Sequence, residues 1–112
     1  MKKVVLAILA MLSCLAFVAC VPGNVDKAKE KMKQEGYAVL GAQDYEGEEG
    51  LVGGFTATKL EWGDADNLTA LLFNSQKEAR SFYNNMEDNS RAFQDGKWVY
   101  WGTEDAIEDF ED

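Results

Sequence analysis

The sequence predicts an α+β domain, a two-layer sandwich in which a mostly antiparallel sheet of four or five strands carries three helices. Three observations point to this class. Apolar residues recur at helical spacing in three short stretches, each preceded by a residue suited to capping. Between them lie runs rich in Val, Leu, Thr and aromatics, bounded by Gly, Asp and Asn clusters. Asp95-Gly96, set between two such runs, is a hairpin signal, and hairpins make neighbouring strands antiparallel.

In chain order, Asn24 is placed to cap a helix over residues 25–35, whose apolar stripe is Val25, Ala28 and Met32. Gly36 falls where a left-handed residue closes a helix, with Tyr37 packing back on Met32. Residues 37–44 read as a strand, 44–50 as a polar turn and 51–60 as a second strand. Inside that strand Gly53-Gly54 marks a bulge or a close backbone approach. Residues 62–67 read as another turn and 68–73 as a short apolar strand. Ser75 and Glu78 match a capping box for a helix running to about residue 87, with Ala79, Phe82, Tyr83 and Met86 on one face. Residues 91–94 and 97–101 then form the hairpin. Thr103 opens a last helix bearing Ala106, Ile107 and Phe110, with Glu104 and Asp105 at its positive end. At a spacing of 28, Leu71, Phe73, Ser75 and Phe82 echo Val99, Trp101, Thr103 and Phe110, the pattern of either a duplicated strand–helix unit or ordinary α+β alternation.

The first twenty residues are not part of this fold. Lys2 and Lys3 precede an uncharged run over residues 4–21 that Pro22-Gly23 ends. Those 18 residues fall just short of a bilayer-spanning helix of about 20. The lysines hold the amino end on the cytoplasmic side, so the chain beyond the run is expected outside the cytoplasm. Phe17-Val18-Ala19-Cys20 resembles the lipobox of bacterial lipoproteins. The resemblance implies a signal peptide over residues 1–19, cleavage before Cys20, and a diacylglycerol on the Cys20 sulfur. Residues 20–24 become the lipidated cysteine with a short spacer, and 25–112 the globular part, which has the general look of small bacterial lipoprotein domains. Cys14, after Met11-Leu12-Ser13, offers a second match with a shorter apolar core. The alternative is an uncleaved signal anchor with Cys20 as an ordinary apolar residue.

Removing residues 1–19 from the 112 leaves 93, enough for one domain near the small end of self-sufficient size. Acylation would consume the remaining cysteine, so no disulfide is expected. The formal charge of -9 becomes -11 without Lys2 and Lys3, and it is unevenly spread. Lys27, Lys29, Lys31 and Lys33 lie next to the anchor, where anionic headgroups attract lysine by about 1 kcal/mol each. The strongly acidic remainder argues against a nucleic-acid partner, since it cannot neutralise phosphates.

The chain contains no His, which excludes Ser–His–Asp, Cys–His and histidine-ligated metal chemistry. No glycine-rich phosphate loop leads from a strand into a helix. Carboxylates remain. Glu61, Asp64 and Asp66 beside Trp62 invite comparison with the paired acids of glycosidases, but so small a domain offers little room for a supported cleft. Asp44, Glu46, Glu48 and Glu49, or Asp64, Asp66 and Asn67, gather oxygen ligands in turns without the register of a calcium-binding loop. No catalytic residue, metal or cofactor is expected. In Lys97-Trp98-Val99-Tyr100-Trp101, alternation puts Trp98 and Tyr100 on one face of the sheet. With all helices on the other face, these two and Leu72 would form an exposed surface for a protein or envelope partner; the alternative is that both faces are covered within the domain, or that one aromatic sits at an edge. The expected function is a non-catalytic binding module displayed outside the cytoplasm on a lipid anchor. A calcium- or ligand-binding accessory protein and a small carboxylate-based hydrolase are the rivals.

Overall fold

The computed structural model describes residues 21–61 and 63–112. The leader, Cys20 and Trp62 lie outside the described residues. In order, the chain forms helix α1 (Val25–Gln34), strand β1 (Ala38–Gly41), a single 3-10 turn (Gln43–Tyr45), strands β2 (Leu51–Glu61) and β3 (Asp64–Phe73), helix α2 (Gln76–Asn85), strands β4 (Ala92–Asp95) and β5 (Trp98–Gly102), and helix α3 (Glu104–Glu111). The strands make one antiparallel sheet in the order β1-β2-β3-β5-β4. The α+β class, the antiparallel sheet and three helices among the described residues are as predicted.

Local chemistry sets the element ends. Asn24 Oδ1 accepts the Lys27 N–H at 2.8 Å, opening α1. At its far end Gly36 takes φ 99°, which an L side chain rarely adopts, and Tyr37 N–H donates to the Met32 carbonyl at 3.0 Å. Tyr37 and Met32 are then both buried in the same cluster. Ser75 Oγ accepts the Glu78 N–H at 3.1 Å, while the Glu78 carboxylate accepts from the Ser75 hydroxyl at 3.2 Å. At the other end of α2, the Asn89 side-chain amide donates to the Tyr83 carbonyl at 3.0 Å. Thr103 occupies the N-cap position of α3 but makes no side-chain bond to its own helix. Its Oγ1 instead accepts the Asn67 N–H at 3.1 Å, tying the helix start to β3.

Two stretches differ from expectation. Residues 64–67 belong to β3 rather than to a turn, with Asn67 opposite Thr58, Asp66 opposite Lys59, Ala65 opposite Leu60 and Asp64 opposite Glu61. Ladder pairing with a long partner strand overrides the turn preference of Asp and Asn, so β3 begins at Asp64. In the second hairpin Asp95 pairs with Trp98, so the turn residues are Gly96-Lys97, one position later than the Asp95-Gly96 reading. The expected irregularity in β2 is present: the register shifts between Leu51 and Gly53, leaving Val52 as the extra residue. At Gly54 a Cβ would run 2.6 Å from the Ala70 carbonyl oxygen, so only glycine allows the strands their approach.

The helices do not share one face of the sheet. Helices α1 and α3 cover Phe55, Ala57, Leu68, Ala70, Leu72, Trp98 and Tyr100. Helix α2 lies on the opposite face, where Ala79, Phe82, Tyr83 and Met86 meet Leu71, Phe73, Val99 and Trp101. The reason is the aromatic strand itself. Alternation sends a large ring or branched chain from β5 to each side in turn, and both sides then need cover. The echo at a spacing of 28 is therefore not a duplicated unit. Leu71 and Val99 are direct partners on one face, yet the helices that come after them go to opposite faces.

Candidate functional site

Trp98 and Tyr100 do share a face, as alternation requires, but the face is closed. They are 3% and 1% exposed, which corrects the expectation of a partner surface there. Phe110 of α3 reaches over both, its ring 5.2 Å from Trp98 and 4.7 Å from Tyr100. Buried aromatic dipoles need partners. The Trp98 indole donates to the Pro22 carbonyl at 2.8 Å, and the Tyr100 hydroxyl donates to Glu111 Oε2 at 2.7 Å. Likewise the Tyr37 hydroxyl donates to Asp109 Oδ2 at 2.8 Å. Burial first, and then the bond to a carboxylate, push both phenols well above their ordinary range, so they serve as fixed donors.

The acidic residues divide between distant places. Glu61, Asp64 and Asp66 stand on a ribbon of β2 and β3 that continues past the pairing with β1 and β5. Glu61 and Asp64 are exposed there and face each other as like charges, which favours solvation over a cleft. Trp62, expected beside them, lies outside the described residues. Glu48 and Glu49 instead join Glu78, Phe82 and Met86 around an open groove of about 390 Å³ between the 43–50 loop and α2. Asp44 lines a separate hollow with Tyr45 and Thr56. Among the described residues, no three acidic side chains come together in an arrangement that would hold a metal ion.

The surface available to a partner is elsewhere. On the α2 face, Tyr45 folds over from the 3-10 turn and packs edge-on against Trp101, 5.7 Å between centroids, and against Phe82 at 6.3 Å. Beyond that cover the sheet lies open. Leu40 and Leu60 are 71% and 77% exposed there, set among Thr56, Thr58, Asn67 and Thr69. Threonine is β-branched and polar, so it holds a strand while meeting water, and it suits an uncovered sheet face. The two leucines are what such a face does not need for folding. The alternation of Phe55 and Ala57 with Thr56, Thr58 and Leu60 is written in the sequence, but which set a helix covers is decided by packing.

The opposite end of the sheet is where the chain enters. Val21 packs against the α1/α3 core and Pro22 is held by Trp98. Lys31, expected at a membrane surface, is engaged inside the domain, its ammonium donating to the Phe110 and Asp112 carbonyls at 2.9 and 2.6 Å. Cys20 itself lies outside the described residues. Among those described, no helix is long and apolar enough to cross a membrane. Comparison of the chain with protein-family models, curated proteins and solved structures finds no match to any of them.

Proposed function

We propose that the chain is a bacterial lipoprotein, anchored outside the cytoplasm through acylated Cys20, whose domain is a non-catalytic binding module. One observation carries this reading. Phe17-Val18-Ala19-Cys20 ends an uncharged run that begins after two lysines, and the folded domain starts directly behind it, at Val21. An address joined at once to a fold is the arrangement of an anchored display domain. The open strip around Leu40 and Leu60 supports a binding role, since exposed leucine on a threonine-rich sheet favours contact with a protein or envelope component. Radiolabelled palmitate fed to cells expressing the full chain tests the reading. Label is expected on the protein and absent from Cys20→Ala; equal labelling of the two would reject the anchor.

A second reading has its own support. The groove between the 43–50 loop and α2 sets Glu48, Glu49 and Glu78 around Phe82 and Met86, a lining that suits a small cationic ligand with an apolar part. Calorimetric titration with calcium and with an aromatic amine separates the two: amine binding lost in Glu49→Gln supports the groove, and heat from neither ligand leaves the strip as the binding surface.

A further inference from the structure

Resting on the lipoprotein reading, we infer that the domain is docked on its anchor rather than tethered, so that one end of the sheet lies on the headgroups and the end carrying Leu60 faces outward. Val21 is packed into the α1/α3 core, and the Pro22 carbonyl is fixed by the Trp98 indole at 2.8 Å. From Cys20 to Pro22 an extended chain spans about 7 Å. A sulfur whose acyl chains sit in the bilayer therefore holds this end of the domain within contact of the headgroups. The residues directly after Cys20 are held: Val21 packs against the core and the Pro22 carbonyl is bonded to the Trp98 indole.

The surface at this end suits that position. Trp98 pairs with Leu72, and Leu72 with Gly53, so the bulged Val52 lies beside the anchored end. Val52 is 56% exposed and borders a hollow shared with Val25, Leu72 and Lys29, with Asp26 at its rim. Apolar side chains with a cation beside them match the boundary of a lipid headgroup layer. Leu60 and Ala65 lie seven rungs further along the same strands, roughly 23 Å away. The bilayer at one end and the exposed Leu60 at the other follow from one hydrogen bond and one register.

The experiment uses the full chain, expressed, processed and purified as the acylated protein. A fluorophore is attached at Val52→Cys or Leu60→Cys, since the Cys20 sulfur is occupied by lipid. The protein is placed in phosphatidylglycerol–phosphatidylethanolamine vesicles containing a lipid with a nitroxide on its headgroup. Loss of fluorescence at position 52 with none at position 60 is the expected result. A six-residue Gly–Ser insertion between Cys20 and Val21 leaves the docked residues intact and should abolish the difference. Trp98→Phe, which keeps an aromatic ring but removes the indole donor, should reduce it. Equal quenching at both positions in the acylated, uninserted protein would overturn the docking. A protein that mass measurement finds without lipid on Cys20 would instead overturn the lipoprotein reading on which the docking rests.

Discussion

The two faces of the sheet are built from the same strands by the same alternation, yet they differ in kind. Under α1 and α3 the face is closed by rings: Phe55, Trp98, Tyr100 and Phe110 contact one another. Among the described residues, every buried side-chain dipole has a partner. On the other side α2 covers only the half over β3, β5 and β4, and the rest is threonine with two exposed leucines. Apart from the partly exposed Phe93, the described aromatic residues pack into or against the two cores, while Leu40 and Leu60 stay exposed on a threonine background. The most conspicuous sequence feature, the aromatic strand, is therefore the least available to a partner.

The contrast can be broken most severely at its centre. Phe110→Ala removes the ring that Phe55, Trp98 and Tyr100 pack upon, and should cost about 3–5 kcal/mol, enough to leave so small a domain largely unfolded. A urea midpoint, or its absence, measures this. On the second face, Phe82→Ala opens a half-buried site and should cost about 1–3 kcal/mol in the same titration. Equal losses at the two positions would erase the distinction drawn between the faces.

A smaller effect concerns the tyrosines. Tyr100→Phe loses one hydrogen bond to Glu111, worth about 1 kcal/mol near neutral pH. The alkaline behaviour is more specific. Because the folded pKa values of Tyr37 and Tyr100 are raised, the stability they contribute is fully present below the unfolded value of about 10 and is lost as pH rises from there towards the folded values. The wild-type urea midpoint should fall above pH 10, and Tyr100→Phe should fall less steeply. The smallest effect belongs to the open strip. Leu60→Ser, at an exposed position, should change stability by no more than about 0.5 kcal/mol in the same urea titration. A large stability loss would assign Leu60 to the core.

Much of the fold was legible because its ends are written locally. Asn24, Gly36 and Ser75 act through bonds to residues three to five positions away, which spacing alone reveals. What spacing does not reveal is which partner wins. Asp64, Asp66 and Asn67 carry turn preferences, but Glu61, Lys59 and Thr58 lie opposite to pair with them. Thr103 has the chemistry of a cap and directs its hydroxyl to Asn67, which is near only in the folded sheet. The same limit applies to the candidate surface. Alternation correctly placed Trp98 and Tyr100 together, but whether a helix covers them depends on which sides α1, α2 and α3 take, a long-range outcome of packing. Leu40 and Leu60 became visible as a strip only once that outcome was known.

Whether Cys20 is an acylated amino terminus is read from the intact mass of the protein purified from cell membranes. The expected chain begins at Cys20, lacks residues 1–19 and is heavier than the bare polypeptide by a diacylglyceryl group. A chain retaining residues 1–19, or one beginning elsewhere with no lipid, would contradict it.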